Sequence, residues 1–148
     1  MAGAKRSVSA ARPASGGAQG PARPAAPLQG GRFVTTFLDE NGHVAVERLT
    51  LRLGMSKAQL AEAVGLQQDV LYRAARLHRP KPQARLSEML EIVGRIAGWA
   101  GGERQALAWY RAEPIPSFGG RTAEALVKEG KAAAVRDYLD RVATGGFA

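Results

Sequence analysis

A chain of 148 residues, 45% of them hydrophobic, can bury one modest core or two small helical subdomains, and length alone does not choose between them. Without cysteine it has no disulfide framework and no cysteine-based zinc site. The formal net charge of +8 points to a polyanionic partner, whereas no run approaches the roughly 18 apolar residues of a membrane span and the N-terminus lacks a secretory pattern, so the chain reads as cytosolic.

The charge is uneven. Residues 1–32 carry Lys5, Arg6, Arg12, Arg23 and Arg32 and no acid, set in a tract of Ala, Gly, Pro and Ser without periodic large apolar residues. Such a segment cannot offset the entropy of ordering it, and residues 1–32 are expected to form a disordered basic tail. Its acid-free composition also suits an organelle transit peptide, although the prolines and glycines break any amphipathic helix. Phe33 to Leu38 is rich in β-formers with no partner strand and is read as an extended lead-in. His43 and His78 are far apart in the sequence and read as ordinary surface side chains; no metal cluster and no cofactor are expected.

From Val46 onward the pattern is helical and the expected class is all-α. Val46, Leu49 and Leu53, then Leu60, Ala61 and Val64, then Leu86, Met89, Leu90, Val93, Ile96 and Ala97 recur at helical spacing. Ser56 and Gln59 form a capping-box pattern, with Met55 and Leu60 placed as a hydrophobic staple. Later helices are expected over residues 103–111, 122–128 and 131–143, the last with Val135, Tyr138, Leu139 and Val142 on one face.

The run from Gln59 to Leu77 resembles the helix-turn-helix of the Xre, Cro and λ-repressor group. Ala61 is small where two helices approach, Gly65 can take the positive φ of a sharp turn, and Leu60, Val64, Leu66, Leu71 and Ala74 would fill the space between them. In that register a second helix starts near Gln67 and presents Gln67, Gln68, Asp69, Tyr72, Arg73 and Arg76 to the major groove of an operator. There Gln can read adenine and Arg guanine. Arg79, Lys81 and Arg85 would grip phosphates, since no acid lies between Asp69 and Glu88. Asp69 has the wrong sign for phosphate; it would accept from a cytosine amine or orient Arg73. The plainer reading is a helical hairpin with a solvated charged face.

The stretch from Ala108 to Ala148 resembles the toxin-binding domain of the Xre/MbcA/ParS antitoxin family. The resemblance is carried by Trp109-Tyr110-Arg111, by a proline-containing loop closing in Phe118-Gly119-Gly120-Arg121-Thr122, by the Glu124-Ala125-Leu126 helix ended by Gly130, and by Asp140 to Ala148. The chain departs from the pattern at Ala123, where proline is usual, and at Phe118, where a smaller aliphatic is usual. Thr122 can cap its helix, and Thr144-Gly145-Gly146 can end the last one so that Phe147 and Ala148 project as a short peptide.

The resemblance implies a type II antitoxin with three parts: the tail, a helix-turn-helix domain over 33–100, and a helical toxin-binding domain over 101–148. Its implied partner is a RES-domain toxin that attacks NAD, occluded by Tyr138, Arg141, Thr144, Gly145, Gly146, Phe147 and Ala148. Arg141 could instead pair with Asp137 one turn back. The implied assembly is a homodimer within a larger toxin–antitoxin complex, repressing its own operon at a palindromic double-stranded DNA operator. The rival is a helix-turn-helix regulator with no toxin partner. An enzyme is disfavoured: no paired carboxylates, nucleophile–base arrangement, phosphate loop or metal-ligand spacing stands out.

Overall fold

The computed structural model describes residues 27–145. Its helices run in the order α1 (Pro27–Thr35), α2 (Val46–Leu53), α3 (Lys57–Val64), a 3-10 turn (Gln68–Tyr72), α4 (Ala74–Leu77), α5 (Pro80–Ala100), α6 (Glu103–Ala112), a second 3-10 turn (Pro116–Phe118), α7 (Ala123–Lys128) and α8 (Ala132–Ala143). Among the described residues there is no strand, only the isolated bridges Leu38–Val44 and Ile115–Arg121. The described residues are all-α, as the periodicity predicts.

Local chemistry sets most boundaries. Ser56 accepts from the Gln59 amide at 3.0 Å while the Gln59 side chain accepts from the Ser56 amide at 2.9 Å, completing the capping box. Gly54 and Gly65, at φ +69 and +71, end α2 and α3 in the left-handed conformation that a side chain resists. Pro80 forbids its predecessor the helical region, so Arg79 is extended at ψ 157 and α5 starts immediately after it.

The long helix α5 is the axis of the fold. Leu86, Met89, Leu90, Ile92, Val93 and Ile96 are all fully buried on it, and α1 and α6 pack along it. The expectation of an extended segment at Phe33–Leu38 fails here, because α1 carries Phe33 as a helix onto α5. Its reason is close packing: a Cβ on Gly94 would lie 2.5 Å from Phe33 Cβ, and one on Gly30 would lie 2.7 Å from the Glu91 carbonyl. Two glycines let the helix axes approach, and Phe33 stacks edge-on against buried Phe37 at 5.0 Å, burial that outweighs the poor helix propensity of glycine. The helix also takes residues 27–32 from the expected tail; residues 1–26 lie outside the described residues.

One buried cluster runs from Phe37 to Leu139, across the expected boundary at residue 100. Tyr110 on α6, fully buried, donates its hydroxyl to the Ala63 carbonyl at the end of α3 at 2.8 Å. Burial pushes its phenol well above the ordinary tyrosine range. On the far side of α5, Arg95 is 2% exposed and reaches Asp140 of α8 at 2.7 Å, while Glu91 pairs with Arg136 at 2.9 Å.

Candidate functional site

Two surfaces gather the residues singled out by the sequence. The first lies where α3, the 3-10 turn, α4 and the start of α5 meet. After Gly65 the chain does not form the single second helix expected from Gln67. The 3-10 turn ends at Tyr72, Arg73 is extended at φ −121 and ψ 109, and only the four residues of α4 follow before His78 and the proline-constrained Arg79. The apolar spacing explains the break. At about 100° per residue, Leu71 and Leu77 would point about 120° apart on a straight helix, so both cannot face one core; the break at Arg73 buries both, at 3% and 9% exposure. Ala74, expected between the helices, is left exposed.

Gln67, Gln68, Tyr72, Arg73, Arg76, Arg79 and Lys81 are exposed and Asp69 is half-buried. Arg76, Arg79, Lys81 and Gln67 line one open cleft with Gly65 and the start of α5. Asp69 is engaged by Arg76, not by Arg73, and that ion pair spans the break. Arg73, Arg79 and Lys81 enter no ion pair among the described residues, so their charge faces solvent. Arg85, expected to grip phosphate, is half-buried and donates one N–H to the Val64 carbonyl at 3.1 Å, satisfying the end of α3. Tyr72, 61% exposed, carries Lys57 over its ring at 4.4 Å.

The second surface is built by α6, α7, α8 and the loop between α6 and α7. Thr122 accepts from the Ala125 amide at 3.0 Å and caps α7, and Gly130 at φ +80 closes its end. Glu124 is 8% exposed and held by Arg111 at 2.8 Å and Lys128 at 3.2 Å, a buried carboxylate that the sequence announced only through the Glu124–Lys128 spacing. Alanine at 123 is fully buried, and Phe118 meets Tyr138 edge-on at 6.2 Å, so both departures from the expected pattern are absorbed by packing. Tyr138 is half-buried; Arg141 and Thr144 are exposed, and Arg141 makes no ion pair with Asp137. Gly145, at φ +81, turns the chain away from α8. Gly146, Phe147 and Ala148 lie outside the described residues.

The two histidines lie together, a pairing that the sequence reading did not anticipate although His78 is exposed as expected. His43 and His78 are not separate surface groups: their rings stack in parallel at 3.9 Å, with Asp39 beside them. Only the fold brings together two loops 35 positions apart in the sequence, so no spacing could have announced the pair.

Residues 91–145 match the family model described as the antitoxin Xre/MbcA/ParS C-terminal toxin-binding domain. The match begins inside α5 and takes in the whole second surface. Neither the curated proteins nor the solved structures contain a match to this chain.

Proposed function

We propose that this chain, whose residues 91–145 match the model of the Xre/MbcA/ParS toxin-binding domain, neutralises a RES-domain, NAD-degrading toxin by placing residues 144–148 in its active-site cleft. It does no chemistry of its own. The observation that carries this reading is the end of α8: inside the matched segment, Gly145 releases the chain from the helix, next to the exposed Arg141 and Thr144. Phe118 and Tyr138 brace α8 against the preceding loop.

The first surface supports operator binding and repression of the chain's own operon, by a homodimer or by the toxin complex. Its support is a row of cations unopposed by acids (Arg73, Arg79 and Lys81) beside Gln67 and Gln68 at the start of the 3-10 turn. The break at Arg73 means that base reading rests on the first turn and on Arg73 itself, with Arg76 partly neutralised by Asp69. Leu51 on α2, 83% exposed, offers an apolar contact to a second copy.

Co-expression with the product of the neighbouring gene tests the reading, following growth and NAD levels. Rescue by the full chain and its loss in a chain of residues 1–143 supports occlusion. Equal rescue by both excludes it, and an innocuous neighbour that forms no complex favours the regulator without a toxin.

A further inference from the structure

We propose that Asp39, His43 and His78 form a binding site for a divalent transition-metal ion of the zinc class, clamping the loop before α2 to the turn between α4 and α5. One ligand atom from each of the three residues lies within 4.8 Å of the others. Two imidazoles and a carboxylate are a three-ligand set that suits zinc, leaving a fourth position for water.

The surroundings organise this set. Asp39 begins a tight loop in which the Asn41 and His43 amides donate to its Oδ1 at 2.8 and 3.0 Å, with Gly42 at φ +82 making the turn. Both bonds fall on one carboxylate oxygen, which holds the group in place while Oδ2 receives no hydrogen bond from a described residue. Gln83 then ties the two loops together: its Oε1 accepts from the Val44 amide at 2.9 Å and its Nε2 donates to the Leu77 carbonyl at 3.0 Å. Val44 follows His43 and Leu77 precedes His78, so one buried-side glutamine fixes the spacing of the two histidines. His43 Nδ1 is buried without a hydrogen-bond partner, an arrangement that protein interiors avoid and that a ligand would relieve. The parallel rings cannot both direct a lone pair at one ion; His78 is exposed at the end of α4 and is the ring that turns on loading.

These are the chain's two histidines, which makes the test clean. The full chain, freed of any affinity tag and treated with chelator, is titrated with Zn2+ by calorimetry and with Co2+ by visible absorption. The expected result is one ion per chain, with ligand-field bands for Co2+ and shifted imidazole proton resonances for both histidines. His78→Gln, at an exposed position, weakens binding by at least the roughly 10–100-fold that loss of a ligand's supporting partner produces. Asp39→Asn weakens it similarly, and circular dichroism verifies that each variant is folded. No saturable binding to the full chain, or equal binding by folded His78→Gln, overturns the site.

Discussion

Replacing Tyr110 by phenylalanine removes one hydroxyl from a fully buried side chain and leaves the ring in place. The lost bond is the 2.8 Å contact to the Ala63 carbonyl, one of the last carbonyls of α3 and without an intrahelical partner of its own. A buried acceptor stripped of its donor costs about 1–3 kcal/mol. Because the helix end is close to the exposed Gly65, water recovers part of this, and a loss of about 1–2 kcal/mol follows, or roughly 3–8 °C in Tm for a domain of this size. Urea unfolding read by far-UV circular dichroism and by Trp99 and Trp109 fluorescence measures it. The two probes give coincident transitions before and after the substitution if one core joins α3 to α6. The same variant has an alkaline signature. Burial raises the Tyr110 phenol in the folded state, so its stabilising contribution is complete below the unfolded value near 10 and is lost as pH climbs toward the folded one. Wild-type stability therefore falls more steeply above about pH 10 than that of Tyr110→Phe. A variant as stable as wild type, with parallel pH profiles, refutes the coupling of the two halves through Tyr110.

Asp140→Ala leaves the Arg95 guanidinium buried without its carboxylate; as Asp140 is itself 57% exposed, the loss is about 1–2 kcal/mol, below that of a fully buried pair, and thermal unfolding reads it. Gly94→Ala sets a Cβ against Phe33 and destabilises the α1–α5 contact by about 1–2 kcal/mol net of the helix propensity gained, seen as faster amide exchange in α1. On the basic face, Gln68→Ala or Arg73→Ala weakens operator binding by about 1–3 kcal/mol more than non-specific binding, whereas Lys81→Ala weakens both and lowers the salt slope by about 1. Unchanged discrimination in both Gln68→Ala and Arg73→Ala shows that base reading lies elsewhere.

The helices after Val46 were legible because their apolar residues keep a 3.6-residue period and their ends carry caps: Val46, Leu49, Leu60, Leu86, Met89 and Ile96 are all buried, and the caps at Ser56 and Thr122 form as the sequence predicts. Two kinds of feature were not legible. The first depends on close approach between distant segments. Helix α1 exists because Gly30 and Gly94 let it sit on α5, and a single segment read alone shows only β-formers beside glycines. The His43–His78 stack and the Arg95–Asp140 pair have the same origin. The second is a conflict within one segment: Gln67 to Leu77 has the composition of a second helix, yet Leu71 and Leu77 both need the core and the chain breaks at Arg73 to provide it. For the second surface, the residues quoted from Trp109 to Thr144 fall within the matched family segment, and their packing accounts for the two departures at Phe118 and Ala123.

The proposed occlusion of a toxin by residues 144–148 is open to test in vitro. Purified cognate toxin, assayed for NAD breakdown, is titrated with the full chain and with residues 1–143. Stoichiometric inhibition is expected from the full chain and, from the shortened one, complex formation with little or no inhibition. Equal inhibition by the two chains contradicts it.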